Sequence, residues 1–482
     1  MQDHGSHPMS STDKSPQSAF RRLPAIDRLL RLQEEVAPAL AREAARQLVA
    51  DLRHRMQQDW PPTEGEESAL SEEALLTQLS RIREQLVRPW HRRVLNGTGI
   101  LLHTGLGRSP LAARARAALA EVGGAAMVEV DPETGKRNRR EHAVAAHLTA
   151  LTGAEAALVV NNNAAATLLA LDALARGSKV PVSRGELVEI GGGFRMPEVM
   201  ERAGCRLVEV GATNKTRLAD FERAIDAETG CLLKVHPSNY RIEGFAAEVS
   251  LEDLVALGRE HGLPVYEDLG SGYLLEEPLP HDARERSVIE TLATGVDLVS
   301  ISGDKLLGSC QAGILVGKKE WVDRCAKHPL YRALRLDKLS LAVLEATLAI
   351  YRFGDPKREI PVLQSIFAST AELESRGEAL LEVLQPVCAQ QGIGVELERC
   401  LSYVGSGATP ARGLSSRALA FRLAGSGGGI EHLAARLRRG RPSLWGRIEN
   451  DELLVDLRSL QPEEDTEIPG LFAGLAEAQG EA

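Results

Sequence analysis

Three segments of the sequence bring together residue types that can carry cofactor chemistry. The first is VVNNNAAATLL (159–169), where a short apolar run gives way to three asparagines and then to small residues that open a helix. Small side chains let an anion approach the free N–H groups of a helix start, where the dipole also favours negative charge. The second is VYEDLGSGYL (265–274), in which Asp268 ends an apolar run and is followed by glycines. A buried carboxylate in such a place can hold a pyridine-type nitrogen protonated, which makes the ring an electron sink. The third, DLVSISGDKLLGSCQAG (297–313), sets Ser302 and Lys305 in a Gly-punctuated loop just past another apolar run. A lysine there is a candidate Schiff-base amine, and Ser302 is placed to reach a phosphate.

Each segment alone has an ordinary reading: an Asn-capped helix, an aspartate starting a turn, a surface lysine. An aspartate and then a lysine on successive strand ends, after an Asn-rich anion loop, is far more specific, and it points to pyridoxal phosphate. Two further clusters suggest anionic substrates. HTGLGRSPL (103–111) puts Arg108 in a Gly-rich turn, and HPLYRALRLDKL (328–339) spaces Arg332 and Arg335 for one helical face. Arginine forks bind phosphate oxygens bidentately, although salt bridges to neighbouring carboxylates use the same geometry.

For these segments to meet, they must sit at the ends of neighbouring strands. Between about 150 and 320 the chain alternates short apolar runs with amphipathic helical stretches. That alternation predicts an α/β fold with a buried, mostly parallel sheet covered by helices. Such sheets bind ligands at the carboxyl ends of their strands. Beyond about 350 the texture changes to helices near 363–384 and 430–437 and strands near 418–423 and 453–456, a smaller α+β domain ending in an acidic tail.

Composition bounds the rest. The chain has 482 residues, 26% of them charged, and a formal net charge of −10, which argues against a polybasic DNA-binding coat. Six scattered cysteines without a CxxC pair read as reduced thiols, not a zinc site or a disulfide frame. No apolar run approaches the ~20 residues of a membrane span, and the polar start lacks the features of a signal peptide. A cytoplasmic protein without membrane partners is expected. Residues 1–19 read as a disordered tail, and WPPTEGEES (60–68) reads as a linker. From Phe20 to about Asp59 apolar residues recur at helical spacing, with Pro38 as a break between two helices. This stretch carries Arg21, Arg22, Arg28, Arg31, Arg42, Arg46, Arg53 and Arg55 against Asp27, Glu34, Glu35, Glu43 and Asp51, and is therefore basic inside an acidic protein. A helix near 71–87 leads into the main body.

With these residues in view, the chain resembles the bacterial selenocysteine synthases, the L-seryl-tRNA(Sec) selenium transferases of the fold-type-I pyridoxal phosphate superfamily. The resemblance runs from about Phe20 to Leu460. Its most specific stretches are RRVLNGTGILLHTGLGRSPL (92–111), VNNNAAATLL (160–169), SRGELVEIGGGFRMPEVMERAG (183–204), EVGATNKT (209–216), KVHPSNYRIEGF (234–245), DLGSG (268–272), SGDKLLG (302–308) and HPLYRALRLDKL (328–339). It implies a helical tRNA-binding domain at 20–70, a cofactor-binding catalytic domain with its leading segment at 71–350, and a small α+β domain at 351–482. Carried over by motif, Lys305 looks like the lysine that bears pyridoxal 5'-phosphate, and Asp268 like the partner of its ring nitrogen. Asn162, Asn163 and Ser302 look like phosphate-side contacts, and His236, in KVHPSNYRIEGF, like a further cofactor contact. Arg108, Arg332 and Arg335, with Asp304 beside the lysine, resemble the family's group around the reactive substrate and the selenium donor. Departures stand at Ala212-Thr213, where the family usually has two threonines, and at Ser309-Cys310-Gln311, where it usually has a Gly-Gly-Pro-Gln run. Cys310 itself reads as a small buried filler.

The resemblance implies that the serine hydroxyl of seryl-tRNA(Sec) is eliminated to an aminoacrylyl-tRNA, and that selenium from selenophosphate then adds. It also implies a homo-oligomer, a decamer built from dimers. A pyridoxal phosphate lyase acting on a small amino acid would use the same Lys305 and Asp268 without needing the 20–59 arginines. A non-catalytic RNA-binding scaffold would need neither.

Overall fold

The computed structural model describes residues 23–58, 70–187, 189–190, 193–236, 240, 242, 244–280, 285–405, 413–423 and 429–477. The expected tail at 1–19, the linker at 60–68, and Arg21 and Arg22 lie outside the described residues. The chain divides into two units, one ending at Arg93 and the other beginning at Val94. Among the described residues no helix is long and apolar enough to cross a membrane.

Among the described residues, the first unit holds helices Ile26–Arg31, Pro38–Gln58 and Glu72–Val87. Pro38 stands at the first helical position, where its missing N–H costs nothing, so the expected break is a helix start. Ser71 caps the third helix, accepting from the Ala74 N–H at 3.3 Å, with Glu72 and Glu73 complementing the dipole in the first turn. Leu29, Ala44, Ala45, Leu48, Leu52, Leu75, Leu79 and Ile82 form one apolar core. Helix Glu72–Val87, which the sequence reading attaches to the catalytic domain, therefore packs within the helical unit: Leu75, Leu79 and Ile82 make a stripe that must be covered. The opposite faces are left to solvent, and Arg28, Arg31, Arg42, Arg46, Arg53 and Arg55 are all exposed.

The second unit contains two five-stranded sheets. In the larger, the strands lie in the order Ala156–Val160, Gly313–Gly317, Leu298–Ser302, Val265–Gly270, Leu232–Val235. Gly313–Gly317 runs antiparallel to both neighbours, and the other four run one way, as the alternation of strands and helices predicts. A separate parallel pair joins Lys179–Ser183 to Arg206–Val210. Helices pack on both faces, giving one core around Leu232, Val265, Val299, Ile301 and Leu344 and another around Leu158, Leu169, Leu233, Tyr266 and Leu315. The residues that follow the four co-directional strands thus come to one edge.

The smaller sheet has the order Val94–Gly97, Ser443–Glu449, Glu452–Asp456, Leu414–Leu423, Ile393–Ser402. The expected helix near 363–384 is two helices, Pro361–Phe367 and Thr370–Ala389, the second started by a capping box between Ser369 and Glu372. Strand Val94–Gly97, far from the others in sequence, pairs in parallel with Ser443–Gly446. Immediately after it, the Leu101 and Leu102 N–H groups donate to the carbonyls of Tyr403 and Val404 at 2.9 and 2.8 Å. The small sheet thereby anchors the turn that carries Arg108.

Candidate active site

Strand register sets the site. Asp268 stands opposite Ser300 on one side and Val235 on the other, and the register breaks between Asp268 and Gly270. Such an irregularity beside a ligand site re-aims the chain. Gly270 (φ +73°) and Gly272 (φ +75°) take the left-handed conformation, and a Cβ on Gly272 would sit 2.5 Å from the Ser302 carbonyl oxygen. Glycine there lets the Asp268 strand pass close to the Lys305 loop.

At this edge lies a cleft of about 270 Å³ that collects Arg108, Asn162, Asn163, His236, Asp268, Ser302, Asp304 and Lys305, together with Phe194 and Gln311. Asp268 is buried, and its Oδ1 accepts from Asn163 Nδ2 at 2.7 Å and from Ser300 Oγ at 3.1 Å. Its Oδ2 lies 3.3 Å from Thr167 Oγ1. Burial pushes this carboxyl up, against the Asn163 and Ser300 hydrogen bonds and the nearby Lys305, which favour its charged form. Lys305 is buried as well, and burial, reinforced by Arg108, lowers its pKa despite the opposing pull of Asp268. The amine is thus biased toward its neutral, nucleophilic form.

Arg108 reaches Asp304 from the opposite wall, with Nη1 2.5 Å from Oδ2. Ser109, next in the chain, donates its N–H to the Asp304 carbonyl at 3.3 Å. Asn162 caps the helix Asn163–Ala175, its Oδ1 accepting from the Ala165 N–H at 2.9 Å. Asn163, grouped by sequence with the phosphate contacts, turns its amide nitrogen to Asp268. Its Oδ1 is buried without a partner.

Arg332 and Arg335 do not join this cleft. Helix Pro329–Leu334 ends before Arg335, whose backbone forms an antiparallel bridge with Val160, while the Asn161 N–H donates to the Leu334 carbonyl at 2.9 Å. The shared helical face expected for the two arginines is therefore absent, because pairing with the sheet edge unwinds the last turn. Arg332 is exposed, and Arg335 lines a separate basic groove with Arg137, Arg139, Arg140, Lys319 and Lys327, its Nη1 3.5 Å from Glu129. The Cys310 thiol lies 3.3 Å from the Ser340 carbonyl oxygen, consistent with a filler.

Thr167, Ser300 and Tyr266 escaped the sequence reading. The Tyr266 hydroxyl lies 2.7 Å from Ser300 Oγ and 3.2 Å from Thr167 Oγ1, completing a polar shell under Asp268. Periodicity held the signal: Thr167 is one helical turn past Asn163, and Ser300 is two strand residues before Ser302, on the same face.

These residues fit pyridoxal phosphate. A buried amine with a lowered pKa, a buried carboxylate with hydrogen-bond donors in place, and the orphaned Asn163 Oδ1 are what an aldehyde-bearing pyridinium would meet. Gly270 keeps the wall open, since a Cβ there would lie within 3.9 Å of both Asp268 Oδ1 and Lys305 Nζ.

The family model described as L-seryl-tRNA selenium transferase (SelA) matches residues 94–461. The L-seryl-tRNA(Sec) selenium transferase of Carboxydothermus hydrogenoformans is 48% identical over 382 residues, covering 79% of this chain and 81% of its own. That of Moorella thermoacetica is 45% identical over 453 residues, covering 93% and 95%. Among solved structures, a D-glucosaminate-6-phosphate ammonia-lyase superposes with a TM-score of 0.56 at 22% identity, covering 82% of this chain and 98% of its own, a likeness of fold. With identity at this level over nearly its whole length, the chain belongs to the L-seryl-tRNA selenium transferase family.

Proposed function

We propose that this chain converts L-seryl-tRNA(Sec) into L-selenocysteinyl-tRNA(Sec), replacing the serine β-hydroxyl with selenium from selenophosphate, with pyridoxal phosphate carried on Lys305. The observation that supports the reading most directly is the meeting of buried Lys305 and buried Asp268 in one cleft, walled by Arg108 and Asp304. When bound, the cofactor supplies an electron sink for negative charge at the substrate Cα.

The chain's own residues do the rest. Lys305 Nζ, kept toward neutrality by burial, takes the Cα proton. Asp268, held by Asn163 and Ser300, keeps a proton on the ring nitrogen by offering it a buried negative partner. Asn162, Ser302 and the start of helix Asn163–Ala175 hold the phosphate, as helix N-termini do. Arg108, oriented by Asp304, serves the anionic donor. Because the seryl group is esterified to tRNA it has no free carboxylate, which leaves arginine for that task.

The exposed arginines of the N-terminal helices contact the tRNA backbone through phosphates. Arg332 and Arg335 lie outside their own cleft, and we assign them to a neighbouring subunit's site in a homo-oligomer of dimers, of which a decamer is the expected size. The enzyme works in the cytoplasm. Incubation with seryl-tRNA(Sec) and selenophosphate, followed by identification of the amino acid released from the tRNA, tests the reading. Selenocysteine supports it; unchanged serine, with ammonia or water released from free amino acids instead, replaces it with a lyase.

A further inference from the structure

The cleft holds a titratable group that the reaction above leaves unused. His236 follows strand Leu232–Val235, lines the cleft, and donates its backbone N–H to the Asp268 carbonyl at 3.0 Å. Its Nε2 lies 3.5 Å from Oε1 of Glu285, whose side chain is 1% exposed and whose two oxygens accept no hydrogen bond among the described residues. A buried carboxylate without donors is costly unless a cation faces it.

The surrounding charges point to which cation that is. Lys234 and Glu267 pair across neighbouring strands, on the same side of the sheet as His236. Lys234 Nζ is taken by Glu186 Oε1 at 3.1 Å and the Val249 carbonyl at 3.0 Å. Glu186 also accepts the Val235 N–H, at 2.9 Å. Glu267 keeps a buried oxygen without a partner, and Arg286, next to Glu285 in sequence, turns to Glu252 at 3.3 Å. On the cleft side stand Lys305, Asp268, Asp304 and Arg108, the last engaged with Asp304. His236 stands at ion-pair distance from Glu285.

We propose that Glu285 is a positioning residue that fixes the His236 ring and keeps it cationic at the wall of the cleft, so that an imidazolium meets the bound cofactor. This rests on the reading of the cleft as a pyridoxal phosphate site. Burial opposes charge on His236, but Glu285, helped by Glu267, outweighs it and raises the pKa above the ordinary histidine value. The neighbouring Glu267 is pushed up to about 7 by burial.

The test is a visible-absorption titration of the holoenzyme between about pH 6 and 10. The coloured adduct at Lys305 changes its band when it loses a proton, and a cation in the wall lowers the midpoint. Glu285→Gln is expected to raise that midpoint by about one unit, His236→Gln to raise it by at least as much, and the double variant to match Glu285→Gln. Glu285→Asp, which keeps the charge, is expected to return it toward the parent value. An unchanged midpoint in a Glu285→Gln protein that still forms the borohydride-reducible adduct, or additive shifts in the double variant, overturns the proposal. A parent chain that forms no adduct overturns the cofactor assignment instead, which separates the two failures.

Discussion

Arg108 and Asp304 close on one another at 2.5 Å across 196 residues of chain. Arg108 holds a left-handed backbone (φ 62°), uncommon for a side chain of its size, at the end of a turn anchored by the small sheet. Its Nε–H is buried without a partner, leaving part of the fork for another anion. Arg108→Lys keeps the charge but loses the planar fork. Turnover of seryl-tRNA is expected to fall by about 10²-fold, the scale of a lost transition-state donor, with the borohydride-reducible adduct retained. Equal turnover in the variant would remove Arg108 from the reaction.

Lys305→Ala is expected to abolish the yellow adduct and selenocysteine formation together. The same lysine also makes the apoprotein's stability depend on pH. Its folded pKa is lowered, chiefly by burial, from an ordinary value of 10.5. Between the folded and the unfolded pKa the unfolded chain binds more protons, so stability rises with pH through that window. Denaturant unfolding of apoprotein should show parent stability gaining on that of Lys305→Met as pH rises from neutrality toward 10.5; a constant difference would mean the amine is not depressed.

Gly270→Ala places a Cβ within 3.9 Å of Asp268 Oδ1 and Lys305 Nζ at a φ of +73°. Left-handed backbone costs a non-glycine residue about 1–2 kcal/mol, so the apoprotein is expected to lose about that much folding stability. Denaturant unfolding of the apoprotein measures it.

Charge reversal of Arg42, Arg46 and Arg53 to Glu leaves the apolar core of the N-terminal helices untouched, since all three side chains are exposed. Binding of seryl-tRNA is expected to weaken, and the dependence of log K on log salt to become shallower by about one unit per lost phosphate contact. The visible spectrum should not change. Filter-binding across a salt series checks this, and an unaltered slope would take these arginines out of the tRNA contact.

Much of the site was legible in the chain because local chemistry marks it. Asp268 and Asn162–Asn163 each follow an apolar run and lead into glycine or other small residues, and Lys305 stands in a Gly-punctuated loop past another such run, a pattern that strand–helix alternation converts into a shared edge. Pro38 and Ser71 marked helix starts through their own backbone and side-chain properties. The strand Val94–Gly97 was not legible as part of the small sheet, because four residues carry too little periodicity to choose a partner some 350 positions away.

Residue type and spacing, then, determined which groups could do chemistry and on which face of a strand or helix each would stand. Long-range pairing alone decided their company. Packing brought the Asn163 amide to the Asp268 carboxylate, an edge bridge to Val160 took Arg335 out of its helix and away from the cleft, and burial lowered the Lys305 pKa and set Glu285 beside His236. Such properties depend on neighbours distant in the chain and on the exclusion of water, neither of which any short stretch of residues contains.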